Sequence, residues 1–209
     1  MTTRIDLLRH GKVAGPAALN GHTDVALSEE GEQQLWRAVR NLSPEQVVTS
    51  PRQRCRRFAQ AYAERHQLPC QIDDDLQEVS FGDWDGVPFD ELYRREGVWP
   101  QVEAYWNSPV NHTPANGEPL DQAFERVGRC WQRLLPQLMG KHSLIVCHGA
   151  VIRLLIAQLI PGDWRDGRWY SSLDISYASL TRIEIADHDA AVPVVRFIGL
   201  PASERPELN

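Results

Sequence analysis

The chain has 209 residues, 42% of them hydrophobic, with seven Trp, five Phe and five Tyr. This is enough apolar surface for one α/β domain with a sizeable core, whereas two domains would be cramped. The formal net charge of -6 and the pI near 5.6 remove the electrostatic case for nucleic-acid binding, although an arginine cluster can still hold a small anion. No stretch approaches the ~20 apolar residues of a membrane span, so we expect no membrane partner.

The cysteines point to a reducing compartment. Cys55, Cys70, Cys130 and Cys147 are far apart and show no C-x-x-C spacing. This pattern indicates reduced structural thiols. The first residues, MTTRIDLLRHGK, lack the apolar stretch of a secretory signal. We therefore expect a cytoplasmic protein.

The first part of the chain alternates predicted strands and helices. An apolar run over residues 4–9 indicates a strand that stops at His10 and Gly11. Ser28 is a suitable helix N-cap, because two glutamates and then apolar residues at helical spacing follow it. A second strand is predicted at residues 46–49. Ser50 and the proline after it are expected to begin the next helix through N-cap and N1 chemistry.

The remainder predicts an irregular, substrate-facing insertion at about 70–119, with one or two helices around 89–106. Apolar spacing then predicts helices over 120–138 and 150–160 and strands over 143–147, 178–185 and 192–198. Strands that alternate with helices favour an α/β fold with a mostly parallel central sheet and helices on both faces. We expect residues 1–209 to form a single domain.

Two predicted strands end in the same way. Leu7-Leu8-Arg9-His10-Gly11 and Ile145-Val146-Cys147-His148-Gly149 each run from apolar residues into a His-Gly pair. Ligands of open α/β sheets bind at the carboxyl ends of strands, so both histidines would face one crevice if their strands are neighbours. The glycines would permit a sharp turn and close approach of a ligand to the backbone. Either histidine alone fits a polar strand-end residue, satisfied by the backbone, better than a functional one. The pair, with Arg9 beside one member, favours a functional site.

These residue types suit phosphoryl transfer. A neutral imidazole attacks phosphorus through one ring nitrogen if the other donates its proton to a fixed acceptor. Arginines can stabilise the charge of the phosphate, because the guanidinium fork matches its oxygens. At about 1.5 to 3 kcal/mol for each charge-assisted bond, two arginines and a second histidine can hold a phosphate without a metal.

The Arg-His-Gly segment resembles the signature of the histidine phosphatase superfamily, which includes cofactor-dependent phosphoglycerate mutases. Four further segments resemble that family's motifs in the same order, so the resemblance covers most of the chain from residue 4 to about 160. They are Gly21-His22-Thr23-Asp24-Val25-Ala26-Leu27-Ser28-Glu29-Glu30-Gly31, Ser50-Pro51-Arg52-Gln53-Arg54, Leu76-Gln77-Glu78-Val79-Ser80-Phe81-Gly82-Asp83-Trp84-Asp85-Gly86 and Cys147-His148-Gly149-Ala150-Val151-Ile152-Arg153.

The resemblance implies roles for particular residues. His10 would be the nucleophile, Glu78 the proton donor to the leaving group, and His148, Arg9 and Arg54 the groups around the phosphate. Residue chemistry alone does not single these out: Glu78 also fits an ordinary acidic loop position. Nor does it choose Arg54 over its neighbours, which we expect on a solvated basic helix face; these are Arg52, Arg56 and Arg57.

The chain departs from the family pattern on the leaving-group side. Lys12 and Pro16 stand where many members have an acidic residue and an asparagine, and Pro119 replaces a serine in the late Gly-Glu-Ser. We expect Asn20 and Gly21 to take over some substrate contacts. The short middle section is unlike that of the mutases. The Arg-His-Gly-Lys start, the Phe-Gly-Asp-Trp-Asp-Gly block and the segment 164–170 resemble most the α-ribazole phosphatases of cobalamin synthesis.

Other readings remain open at this point. A general small-molecule phosphatase, a phosphoglycerate mutase and a non-catalytic phosphate-binding interaction domain all fit the same fold. A metal hydrolase is disfavoured, because neither H-x-H nor H-E-x-x-H occurs. We expect a small phosphomonoester as substrate, no cofactor and no metal; a monomer and a homodimer are equally compatible with the sequence.

Overall fold

The computed structural model describes residues 2–188 and 191–201. Its centre is a six-stranded sheet in the order β3-β2-β4-β1-β5-β6. The strands are β1 (Thr3–Arg9), β2 (Gln46–Thr49), β3 (Cys70–Ile72), β4 (His142–Cys147), β5 (Leu180–Ile185) and β6 (Val194–Leu200). The first four are mutually parallel, β5 runs antiparallel to β1, and β6 antiparallel to β5. The predicted mostly parallel sheet is confirmed.

Helices connect the strands and cover both faces of the sheet. They are α1 (Glu29–Val39), α2 (Gln53–His66), α3 (Phe89–Arg94), α4 (Trp99–Asn107), α5 (Leu120–Leu138), α6 (Gly149–Leu159) and α7 (Arg168–Ser172). Short 3-10 turns lie at Asp74–Leu76 and Gly82–Trp84. Ser28 caps α1 as predicted, since its hydroxyl accepts the Gly31 N–H at 3.0 Å. Among the described residues, none of the helices has the length and hydropathy to cross a membrane.

Side-chain alternation along the strands builds two cores. Leu7 and Ile145 point to the face covered by α5 and α6, whereas Leu8 and Leu144 point to the face covered by α1 and α2. All four are completely buried. Successive residues of a strand face opposite sides, so an apolar run without alternation requires cover on both. A third, smaller core of aromatic and aliphatic side chains lies within residues 81–105.

Two boundaries differ from the sequence prediction. Helix α2 begins at Gln53, with Arg52 rather than Ser50 as its N-cap. The Ser50 hydroxyl accepts the Arg52 N–H at 3.3 Å, before the helix begins, and also lies against a histidine described below. Residues 70–119 contain α3 and α4 where helices were expected, but they also contribute β3 to the sheet. Three exposed edge residues carry no hydrophobic pattern, and only pairing with β2 defines them as a strand.

A charged network is buried between three strands. The carboxylate of Asp6 on β1 accepts bonds from Arg182 Nε at 2.8 Å and Nη2 at 3.0 Å, and lies 2.8 Å from His142 Nε2. Burial alone would raise the pKa of Asp6, but the bonds from His142 and Arg182 outweigh it and lower that pKa. This network joins β4, β1 and β5. The four cysteines are free thiols, all buried except Cys70.

Candidate active site

The sheet brings the two histidines together. Strands β1 and β4 are parallel neighbours in which Arg9 lies opposite Cys147, so the residues that follow emerge side by side. The ring centroids of His10 and His148 are 5.3 Å apart, with the ring planes at 62°. His10 is 6% exposed and His148 is fully buried. The expectation that both histidines share one crevice therefore holds in the structure.

The contacts of His10 select its tautomer. Its Nδ1 lies 2.8 Å from the carbonyl oxygen of Gly11. A carbonyl can only accept, so Nδ1 carries the proton and Nε2 keeps a free lone pair. Burial, and then the positive charges of Arg9 and Arg54, hold the pKa of His10 well below its ordinary 6.5. The imidazole is therefore neutral at physiological pH and can act as a nucleophile.

His148 contacts one side chain just before α2 and one on α2. Its Nε2 lies 2.7 Å from the hydroxyl oxygen of Ser50 and 3.6 Å from the sulfur of Cys55. Burial, followed by the charge of Arg54, also keeps the pKa of His148 well below 6.5. Sequence reasoning missed Ser50 as a site residue, because a serine before a proline is equally a helix cap.

Arg54 is a fully buried cation in the first turn of α2. Its Nη2 donates to the carbonyls of Asn20 and Gly21, both at 2.7 Å, and its Nη1 to that of Thr23 at 3.0 Å. Within residues 2–188 and 191–201, none of the ion pairs includes it. A buried guanidinium held only by carbonyls retains a charge that favours an anion nearby.

Arg9 is fixed by the loop that precedes β5. Its Nη1 donates to the carbonyl of Ile175 at 2.6 Å, and its guanidinium lies 4.3 Å from the ring centroid of Tyr177. The same tyrosine ring is 5.5 Å from the ring of His10 and is 42% exposed. Tyr177 thus forms one wall beside His10, at the solvent side.

Arg153, on α6, adds a further charge. Its Nε and Nη2 donate to the carbonyl of Leu173 at 3.1 and 2.7 Å. A Cβ atom placed on Gly149 would lie 3.2 Å from Arg153 Nη1 and 3.4 Å from Arg9 Nε, so the two arginines flank that glycine. Burial, and secondly Arg9, lowers the pKa of Arg153.

Glu78 lies at the N-terminus of α6. It is 8% exposed, and its carboxylate oxygens accept the N–H groups of Val79 at 3.1 Å and Ala150 at 3.3 Å. The chain before it is fastened by Arg126, which donates to the carbonyl of Gln77 at 2.9 Å and forms a 2.6 Å ion pair with Glu118. Glu118 adjoins Pro119, the residue that replaces the family's serine, and this glutamate is held by the ion pair with Arg126.

The arrangement of two neutral histidines, carbonyl-held arginines and one buried carboxylate agrees with a match to a family model. The model described as "Histidine phosphatase superfamily (branch 1)" matches residues 5–197. The chain belongs to the histidine phosphatase superfamily.

Individual relatives agree with this assignment. An adenosylcobalamin/alpha-ribazole phosphatase of Escherichia coli is 30% identical over 176 residues, which cover 82% of this chain and 85% of the relative. The solved structure of the alpha-ribazole phosphatase from Shigella flexneri has a TM-score of 0.74 and 25% identity, covering 94% of this chain and 96% of that one. A bifunctional protein of Mycobacterium tuberculosis is 32% identical over 204 residues, which cover 94% of this chain. This chain spans about half of that longer relative, 54%.

Asn20 and Gly21 lie beside Arg54 and contact it through their backbone. Their carbonyls hold Arg54, and the Asn20 side-chain amide donates to the Ala18 carbonyl at 3.4 Å. A Cβ atom at position 21 would lie 2.1 Å from the Val79 carbonyl oxygen, so only glycine fits there. Direct contact of either residue with substrate stays a prediction.

Two local expectations were wrong. Arg52 is not on a solvated helix face: it precedes α2, is half-buried, and donates to the His22 carbonyl and the Gln77 side chain at 2.6 and 2.7 Å. The space beside Gly11 is taken by the chain itself, because a Cβ atom there would lie 2.1 Å from the Gly31 carbonyl oxygen. That glycine therefore permits backbone packing against α1 rather than approach of a ligand.

The part of the chain that the structure describes contains no group of three or more His, Cys, Asp or Glu side chains arranged to hold a metal. Sequence reasoning missed several residues of the candidate site and its surroundings. They are Ser50, Arg52, Asp85, Arg153 and Tyr177. Ser50, Arg52, Asp85 and Arg153 were inside motifs, but a motif letter does not say which atom a side chain will meet.

Proposed function

We propose that this protein hydrolyses phosphomonoesters through a phosphohistidine formed on His10. The observation that carries the proposal is the state of His10: a buried imidazole whose Nδ1 is held by the Gly11 carbonyl, and which burial and the charges of Arg9 and Arg54 keep neutral. The lone pair of Nε2 forms a bond to phosphorus as the bond from phosphorus to the leaving oxygen breaks. The Gly11 carbonyl stabilises the imidazolium through Nδ1–H.

The same proposal gives Glu78 the proton transfers. In the first step its carboxylic acid protonates the leaving alkoxide. In the second, its carboxylate takes a proton from a water molecule, whose oxygen attacks phosphorus and releases His10 and inorganic phosphate. Arg9, Arg54 and His148 hold the phosphoryl oxygens through both steps.

For the leaving group we propose α-ribazole, which places the protein in cobalamin synthesis in the cytoplasm. The support is the likeness to the two α-ribazole phosphatases described above. The exposed ring of Tyr177 beside His10 offers a flat apolar surface to an aromatic leaving group. A phosphoglycerate mutase is the alternative, and its activity would appear as isomerisation without net release of phosphate.

The deciding experiment is a rapid quench with labelled substrate. We expect an acid-labile, base-stable phosphoryl adduct on the peptide containing residues 5–12, lost together with nearly all turnover in His10→Ala. His112→Ala is the matched control, because His112 is exposed and lies outside the site. Label on His148, or near-normal turnover of His10→Ala, would overturn the mechanism.

The substrate is tested separately by comparing kcat/KM for α-ribazole phosphate and 3-phosphoglycerate. We expect a higher value for α-ribazole phosphate. Efficient interconversion of phosphoglycerates would favour the mutase instead.

A further inference from the structure

A carboxylate behind the phosphate site accepts an unusual number of backbone donors. The two oxygens of Asp85 lie 3.1 Å from the N–H nitrogen of Gly21, 2.7 Å from that of His22, 2.9 Å from that of Thr23 and 3.2 Å from that of Phe81. Burial alone raises the pKa of this carboxyl, but these backbone donors outweigh it and hold the pKa below its ordinary value. Asp85 is therefore a fixed negative charge.

Three of these four N–H groups, those of Gly21, His22 and Thr23, belong to peptide groups whose carbonyls face arginines. The carbonyls of Asn20 and Gly21 accept from Arg54, and the carbonyl of His22 accepts from Arg52. The N–H of each of these peptide groups belongs to the next residue, and all three donate to Asp85. In a trans peptide the N–H and the C=O point in opposite directions, so each group bridges the carboxylate and a guanidinium.

Building on the function proposed above, we propose that Asp85 is a positioning residue for phosphate binding. Three peptide groups link its carboxylate to the guanidinium groups of Arg54 and Arg52, and they transmit the electrostatic effect of its charge. Hydrogen bonds in a chain polarise one another, so an anion at one end strengthens the carbonyls that hold the cations at the other. This indirect link through peptide groups differs from a direct ion pair in what it leaves available. The carboxylate fixes the arginines without occupying the N–H groups that phosphate needs.

The test is a double-mutant cycle read by calorimetric binding of inorganic phosphate. We expect Asp85→Asn to raise the phosphate dissociation constant about tenfold, in line with the loss of one charge-assisted contact. In an Arg54→Met background the same substitution should change it less than about twofold, because the residue through which it acts is gone. Equal effects in both backgrounds would show a general structural role and would overturn the proposal.

Asp83→Asn is the matched control, because it removes the same charge from an exposed neighbour whose side chain contacts that of Asn116. We expect its phosphate affinity to equal that of the wild type. If Asp85→Asn does not fold, Asp85→Glu keeps the charge on a longer arm and should bind phosphate within about threefold of the wild type. A tenfold loss in Asp85→Glu would contradict a role for the charge.

These outcomes separate the two proposals. A wild-type protein that neither binds nor releases phosphate would refute the phosphatase function itself. A wild-type protein that binds phosphate, together with a folded Asp85→Asn variant that binds it equally well, would refute only the role of Asp85.

Discussion

Replacing Arg54 with methionine tests the central electrostatic argument. A guanidinium has five N–H bonds, and three of those of Arg54 donate to the carbonyls of Asn20, Gly21 and Thr23. At most two remain for phosphate. At about 1.5 to 3 kcal/mol for each charge-assisted bond, losing one weakens phosphate binding roughly 10- to 150-fold.

The effect on stability is expected to be small, since two large terms oppose each other. The carbonyls of Asn20 and Gly21 lose their donor, at about 1 to 3 kcal/mol each. The Thr23 carbonyl keeps a second bond, from the Val25 N–H at 3.0 Å. Against this, a fully buried cation without a carboxylate partner is removed, which relieves several kcal/mol. We expect the free energy of unfolding of Arg54→Met to stay within about 2 kcal/mol of the wild type.

The assay is thermal unfolding with and without phosphate. At 100 times its dissociation constant, a ligand stabilises the folded state by about 2.7 kcal/mol. The same phosphate concentration stabilises a variant that binds about 100-fold more weakly by only ~0.4 kcal/mol. The phosphate-induced rise in Tm should therefore almost vanish in Arg54→Met. A variant that keeps the full rise would refute the view that Arg54 binds the phosphate.

Further predictions concern the acid, the nucleophile, the buried network and metals. Glu78→Gln should slow hydrolysis of alkyl phosphates about 10²- to 10⁴-fold but that of nitrophenyl phosphate much less, because a good leaving group needs little proton assistance; equal losses would argue against the donor role. Burial and the charges of Arg9 and Arg54 lower the pKa of His10, and the neutral ring is the reactive form. The profile of kcat/KM against pH, corrected for substrate ionisation, should therefore show no acid limb from His10 near 6.5, only one at much lower pH. Asp6→Asn should cost about 3 to 5 kcal/mol of unfolding free energy, measured in urea, because Arg182 stays buried without its partner. Since the folded pKa of Asp6 is lowered, this stabilisation is present above the ordinary 3.8 and is lost as the pH falls through the folded value. Dialysis against EDTA should leave activity unchanged; activity restored only by a divalent metal would contradict a site built from arginine and histidine.

Local chemistry in the sequence determined much of this molecule. Unbroken apolar runs before two His-Gly pairs predicted buried strands, because a strand covered on both faces needs apolar residues at every position. Helical spacing located α1, α5 and α6, and the Ser28 cap marked where α1 begins. The family motifs then pointed to His10, Arg54 and Glu78, which the structure brings to one end of the sheet.

Only the tertiary structure decided the contacts between segments far apart in sequence. The Ser50 hydroxyl contacts His148 and is not the N-cap of α2. Arg52 donates to the His22 carbonyl of a loop and does not lie on a solvated helix face. The bridge from Asp85 to Arg54 depends on which edge of each peptide group faces which side chain. Hydrophobic periodicity does not encode such contacts, because they arise between irregular loops whose backbone groups find partners only when the chain is folded. The sequence therefore predicted which residues gather at the candidate site, while the fold decided what holds each of them in place.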